Sequence, residues 1–256
     1  MTTSPESEAL SSKAETVRVT RTPQSNRQRF DLVIFDCDGV LVDSEVISCR
    51  AHAEALTRHG YPITEHQVLE RFLGISDREA RLIVEARLIV EAELGLRLPD
   101  DFEAQMKQAA LQRYPTELAD IPHIGEAIAA IGLPKCVASS GTLEKIRHGL
   151  TCAGLYDALA PHIFSATQVE HGKPAPDLFL FAAEQMRASP ERCVVIEDSA
   201  PGTTGALAAG MTVLGFHGGS HCLPGHADKL RAAGATATFD DMQQLPGLVA
   251  TTAGAG

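Results

Sequence analysis

The stretch "FDCDG" places two aspartates, Asp36 and Asp38, one residue apart at the end of an apolar run. In an extended chain side chains alternate, so both carboxylates fall on one side while Cys37 turns away into a core. Two carboxylates held this close repel, and each raises the other's pKa unless a cation neutralises them. A second acidic pair, Glu197 and Asp198, ends the apolar run "CVVI" far along the chain. Bringing Asp198 to the first pair would make a hard, all-oxygen site that suits Mg2+ better than zinc. Lys173, in the loop "HGKPAPD", would supply a fixed positive charge for a phosphate, and Ser139 and Ser140, in "VASSG", would supply hydroxyls. Gly39 permits a sharp backbone turn close to a ligand. A lone D-x-D pair is common in turns; the other polar loops give this one its weight.

These residues need a scaffold that delivers four separate loops to one edge. Short, continuously apolar runs recur at Leu32 to Phe35, Cys136 to Ser139, His162 to Ala166, Cys193 to Glu197 and Met211 to Phe216, as strands buried on both faces of a parallel sheet should be. Helix-length segments separate them, at Gly125 to Ile131, Leu143 to Ala153, Asp177 to Met186 and Pro201 to Ala209, the last stopped by Gly210. The alternation predicts an α/β fold with a doubly wound, Rossmann-like parallel sheet, in which ligands bind outside the carboxyl ends of the strands.

Between the first and second strands the chain carries helical patterns alone, from "VISCRAHAEALTRHG" through "EHQVLERF" to "DDFEAQMKQAALQRY". An inserted α-helical cap domain over 46–115 is expected, with the core built from 29–45 and 116–250 and the two crossings near Asp43 to Val46 and Pro115 to Pro122. Asp43 and Ser44 stand where the first helix starts and suit a helix cap or a hinge as well as they suit contact with a substrate. Inside this block "EARLIVEARLIVEAE", Glu79 to Glu93, repeats with a period of six. At about 3.6 residues per turn the second copy is rotated by roughly 240° and cannot bury the same stripe, so it reads as a tandem duplication lengthening one helix, with Arg81 and Arg87 on different faces. Residues 1–28 mix Ser, Thr, Glu and Arg without periodicity and read as a disordered leader; "TTAGAG" at the other end reads as frayed.

Taken together, "DCDGVLVDSE", "VASSG", "GKPAPD" and "VIEDSAPG" resemble, in order and spacing, the motifs of haloacid-dehalogenase-superfamily phosphatases with a helical cap inserted after the first strand, over about Asp31 to Phe216. "FDCDGVLVDSEVISCR" is similar to the subgroup that contains 6-phosphogluconate phosphatase, related sugar phosphatases and β-phosphoglucomutase-like enzymes. The resemblance implies two-step phosphoryl transfer: Asp36 as nucleophile forming an aspartyl-phosphate, and Asp38 as the acid that protonates the leaving oxygen and later takes a proton from water. Ser139 or Ser140, with neighbouring amides, would bind the phosphate, Lys173 would offset its charge, and Mg2+ would be held by Asp36, the Asp38 main-chain carbonyl and Asp198, with Glu197 as a further or outer acid. The expected activity is hydrolysis of a small phosphorylated metabolite, a sugar phosphate or sugar-acid phosphate such as 6-phosphogluconate. A phosphoglycolate phosphatase and a sugar-phosphate mutase are the alternatives. Mutases that resemble this chain carry a His early in the first cap helix and a basic pair in a cap loop, where this chain has Ser48, Leu73 and Asp77; Arg78 or Arg50 would have to substitute.

The rest of the composition narrows the class. A net charge of -11 over 256 residues argues against a nucleic-acid footprint, and no run approaches a membrane span or the apolar core of a signal peptide. A cytoplasmic protein, monomeric or weakly dimeric, with a small phosphorylated molecule as its partner, is expected. The six cysteines lie far apart and read as small core residues rather than disulfides. His217, His221, Cys222 and His226 in "HGGSHCLPGHAD" fit no familiar zinc spacing and read as a Gly/Pro-rich loop after a strand. His52 and His59 read as ordinary residues of a cap helix.

Overall fold

The computed structural model describes residues 30–70, 91–92, 95 and 98–251. The 1–28 leader, all of the Glu79 to Glu93 repeat except Glu91 and Ala92, the positions Leu73, Asp77 and Arg78, and residues 252–256 lie outside the described residues.

Six parallel strands form one sheet in the order β3-β2-β1-β4-β5-β6. They are β1 (Leu32–Phe35), β2 (Lys135–Ser139), β3 (Ile163–Ser165), β4 (Cys193–Glu197), β5 (Thr212–Phe216) and β6 (Ala237–Phe239). The chain winds outward from β1 to β3 and then returns to the other side of β1, so the β1–β4 boundary is the switch point where ligands bind in such sheets. Register across it runs from Leu32 opposite Cys193 to Phe35 opposite Ile196. The five expected strands stand within one residue of their predicted ends. The sixth, "ATF", is the exception: it is a three-residue edge strand in which only Phe239 is buried, too short to show a period.

The continuous apolar runs feed two cores. Leu32 and Ile34 pack on one face with Phe179, Ala182 and Val195, whereas Val33, Phe35 and Cys37 pack on the other with Ile146, Ile196 and Phe216. Cys37 is 2% exposed, so the alternation that turns it away from Asp36 and Asp38 persists past the strand end.

Between β1 and β2 run the helices α1 (Glu45–Arg58), α2 (Glu65–Val68) and α3 (Phe102–Glu117). α3 continues through Pro115 for two more residues. An isolated antiparallel bridge between Val42 and Asp120 ties the outgoing and returning chain together. Cys49, Leu56, Tyr61, Val68, Phe102 and Met106 form a cluster of their own, separate from both sheet cores. Ile47, Ala51, Ala110 and Tyr114 form a second, smaller one against the core side. A fourth helix, α4 (Ile124–Ala130), leads into β2, and after β2 come α5 (Leu143–Cys152), α6 (Tyr156–Leu159), α7 (Asp177–Gln185), α8 (Ala200–Ala208), α9 (His226–Ala232) and α10 (Leu245–Thr251). No helix among the described residues is long and apolar enough to cross a membrane. Cys37, Cys49, Cys136 and Cys193 are buried free thiols, as their apolar settings predict, while Cys152 and Cys222 are half-buried.

Candidate active site

Lys173 joins two loops that are 137 and 24 residues away from it in sequence. Its Nζ donates to Asp36 Oδ1 and to Glu197 Oε1, each at 2.7 Å. All three side chains are nearly closed to solvent, at 5%, 6% and 1% exposure. The Asp36 amide donates to the Ile196 carbonyl at 3.0 Å, extending the β1–β4 ladder by one rung and fixing the aspartate beside the end of β4. The other oxygen of Glu197 accepts from the Ser199 amide at 2.7 Å and its hydroxyl at 2.8 Å. Ser199 in turn caps α8 by accepting from the Gly202 amide at 3.1 Å. Asp36, Glu197 and Asp198 each present a carboxylate oxygen within 4.8 Å of the others.

Two glycines make this crowding possible. A Cβ on Gly202 would lie 1.7 Å from Glu197 Oε1, and one on Gly39 would lie 2.0 Å from Asp198 Oδ2. Gly39 also has φ of +80°, a region costly for other residues, and its turn is closed by a hydrogen bond to the Val42 carbonyl at 2.8 Å.

Burial pushes the Asp36 carboxyl up to about 8; Lys173 opposes the rise, while Glu197 and Asp198 add to it. Burial works the other way on Lys173, but Asp36 and Glu197 outweigh it and hold the ammonium above its ordinary value. Three buried acids against one lysine leave an excess of negative charge, and the donors are all oxygens. A hard divalent cation such as Mg2+ fits that set and its charge. Because Glu197 is bonded through both oxygens, Asp36 and Asp198 are the acids best placed to hold such an ion.

Asp38 stands apart from this network. Its Oδ1 accepts from the Ser44 hydroxyl at 2.5 Å and its Oδ2 from Lys145 Nζ at 3.1 Å. The Lys145 and Asp38 side chains are 11% and 14% exposed. Ser44 occupies the N-cap position of α1 without making a side-chain cap bond, because its backbone is already helical, with φ of -83° and ψ of -20°, rather than extended as in a capping serine. Lys145 escapes a reading of the sequence because it stands in the first turn of a helix, where one more lysine carries no signal; its partner is 107 residues away.

The two serines separate. Ser139, at the end of β2, is buried, and its Oγ accepts from the Gly141 amide at 3.1 Å. Ser140 is exposed. The loop is braced from β3 by Ser165, whose hydroxyl donates to the Gly141 carbonyl at 2.6 Å. Ladder register sets Phe35 opposite Val137, which carries Ser139 level with Cys37, between the two aspartates. Arg50 faces elsewhere, paired at the surface with Glu65 and Glu117. His52 is a satisfied helix residue, donating to the Ser48 carbonyl at 2.7 Å, and His59 packs edge-on against Phe102.

The loop after β5 is more than a spacer. His221 is buried, with Nε2 2.9 Å from Asp198 Oδ2, and His226 Nε2 donates to the Asp198 carbonyl at 2.5 Å. Cys222 lies between them, its Sγ 3.4 Å from His221 Nε2.

A doubly wound parallel sheet with acids and a lysine at the carboxyl edge of its central strands is an α/β core whose charged site lies where such sheets bind ligands. Comparison with known proteins agrees. The family model for haloacid dehalogenase-like hydrolases matches residues 30–210, and the chain belongs to that family. It is 32% identical over 221 residues to the 6-phosphogluconate phosphatase of Escherichia coli, an alignment covering 86% of this chain and 95% of the relative. A haloacid dehalogenase-like protein of unknown function from Agrobacterium tumefaciens superposes with a TM-score of 0.78 at 39% identity, over 88% of this chain and 99% of that one. A family hydrolase from Deinococcus radiodurans, crystallised with phosphate and sodium, superposes with a TM-score of 0.72 at 29% identity, over 89% and 97% of the two chains.

Proposed function

We propose that this chain is a Mg2+-dependent phosphatase of small phosphorylated sugars or sugar acids, 6-phosphogluconate among them, acting through an aspartyl-phosphate on Asp36. As an enzyme it is a phosphoric monoester hydrolase. The observation that carries the reading is Lys173 held at 2.7 Å from both Asp36 and Glu197 in a site nearly closed to water. Such a lysine is a fixed charge that neither wanders nor titrates near neutral pH, and a phosphoryl group transferring at Asp36 develops negative charge beside it.

In this mechanism Asp36 attacks phosphorus in line, and the leaving sugar oxygen takes a proton from Asp38. Asp38 then accepts a proton from the water that cleaves the aspartyl-phosphate. Ser44 and Lys145 hold the Asp38 carboxyl in a fixed direction, away from the lysine that serves Asp36. Ser139 and the amides after it face the phosphate oxygens, with Ser165 keeping that loop in shape. Asp36, the main-chain carbonyl of Asp38 and Asp198 would hold Mg2+, which when bound lowers the repulsion between the nucleophile and its anionic substrate. Glu197 orients Lys173 and leaves the cation to its neighbours. The helices α1 to α3 form the cap that selects the leaving group.

The substrate choice is supported by the sugar-acid phosphatase similarity along nearly the whole length of the relative. The test is phosphate release from a panel of sugar phosphates, sugar-acid phosphates and phosphoglycolate, with Mg2+ and with EDTA. Mg2+-dependent release, fastest on a sugar or sugar-acid ester, is expected. Conversion of a hexose 1-phosphate to an isomer without phosphate release would overturn hydrolysis in favour of a mutase.

A further inference from the structure

The loop "HGGSHC", after β5, is anchored at the site by more than its own turn. His221 is 4% exposed and is enclosed by two glycines: a Cβ on Gly39 would lie 2.7 Å from its Cε1, and one on Gly219 2.8 Å from the same atom. So the turn after Asp38 and the loop after β5 close on one imidazole, whose Nε2 meets the Asp198 carboxylate at 2.9 Å. His226, at the start of α9, binds the same residue from another side, through the main-chain carbonyl at 2.5 Å. Two imidazoles from one loop thus fix both the side chain and the backbone of a single buried aspartate.

We infer that His221 and His226 are positioning residues that clamp Asp198, holding one carboxylate oxygen so that the other is presented to the divalent cation. The inference rests on the reading of Asp198 as a metal ligand. A ligating carboxylate that must also be oriented is bound weakly if it can rotate, because each rotation has to be frozen on binding; removing the partner that orients a ligand typically weakens metal affinity by about 10- to 100-fold. The same residues admit a second arrangement, in which His221, Cys222 and His226 hold their own ion, since their donor atoms lie within 4.8 Å of one another. The geometry favours the clamp, because Asp198 already engages one nitrogen of each ring.

Calorimetric titration of Mg2+ into the substrate-free full chain separates these cases. His221→Leu, which removes the donor, is expected to weaken Mg2+ binding by about 10- to 100-fold, to raise the Mg2+ concentration for half-maximal rate in parallel and to leave kcat at saturating Mg2+ nearly unchanged. His221→Gln, which keeps a donor near the same place, is expected to recover most of the affinity. If the leucine variant does not fold, His226→Ala, at a half-exposed position, carries the test with a several-fold weakening expected. Unchanged Mg2+ affinity in a folded His221→Leu or His226→Ala protein would overturn the clamp while leaving the phosphatase reading intact. A wild-type chain that binds no Mg2+ would overturn both. Zinc retained at one per chain and lost in Cys222→Ser would overturn it in favour of a separate ion site.

Discussion

The carboxyl edge of the sheet and the helices between β1 and β2 are held together by opposite means. At the edge, buried charges with partners 24 to 137 residues apart are locked by 2.7 Å bonds, and glycines stand where any side chain would collide. Among those helices, α1 and α3 pack through a modest apolar cluster and are laced on the outside by Arg50 to Glu65 and Glu117 and by Arg113 to Glu54. Exposed pairs of that kind contribute about 0–1 kcal/mol each, whereas removing one partner of a buried pair costs about 3–5 kcal/mol. The difference teaches where tolerance lies: the edge is locked by buried contacts, and the helices, tied on the outside by exposed pairs, tolerate the loss of one.

The contrast is tested first by its largest consequence. Lys173→Met leaves Asp36 and Glu197 buried without their cation, so stability near neutral pH should fall by about 3–5 kcal/mol and turnover by at least about 100-fold, read by urea denaturation and phosphate release. Gly202→Ala should follow, at about 1–3 kcal/mol, because the new methyl meets the Glu197 carboxylate and its hydrogen bonds must break to make room. A wild-type melting point in that variant would show the edge to be softer than its contacts indicate.

A subtler effect concerns pH. Burial raises the Asp36 pKa in the fold to about 8, above the ordinary value near 3.9 of an unfolded chain. An acid raised in this way favours the fold fully below the unfolded value, and that contribution is lost as pH climbs toward 8. In EDTA, therefore, Asp36→Asn should gain stability relative to the wild type between pH 4 and pH 8, and Mg2+ should shrink the gap; a difference independent of pH would contradict the electrostatic account. The smallest effect belongs to the helices between β1 and β2. Arg113→Ala, which releases the pair with Glu54 at 2.6 Å, should cost no more than about 1 kcal/mol and leave turnover unchanged.

The same contrast governs what the sequence made legible. Strands such as "CVVIE" announce both their ends, because burial on two faces demands a continuous apolar run and the acids that follow break it. Asp36, Lys173, Glu197 and Asp198 stood out as charged residues in apolar or Pro-rich surroundings, and they meet in the fold. Lys145 and Ser165 did not stand out, and His221 and His226 stood out as a histidine-rich stretch yet read as a loop, since each acquires its contact only from a partner brought close by the tertiary fold. Ser44 suited a helix cap by position, yet its backbone is helical rather than extended and its hydroxyl donates to Asp38 instead. β6 was hidden for a different reason: three residues are too few for any period to show.

The central claim is that Asp36 attacks phosphorus. Rapid acid quench of the Mg2+-loaded enzyme during turnover of a sugar-acid phosphate, followed by peptide mass spectrometry, tests it directly. A base-labile phosphoryl group on the peptide that contains Asp36, absent from Asp36→Asn, is the result predicted. Phosphate release that persists in Asp36→Asn, with no phosphorylated peptide at any time point in the wild type, would contradict it.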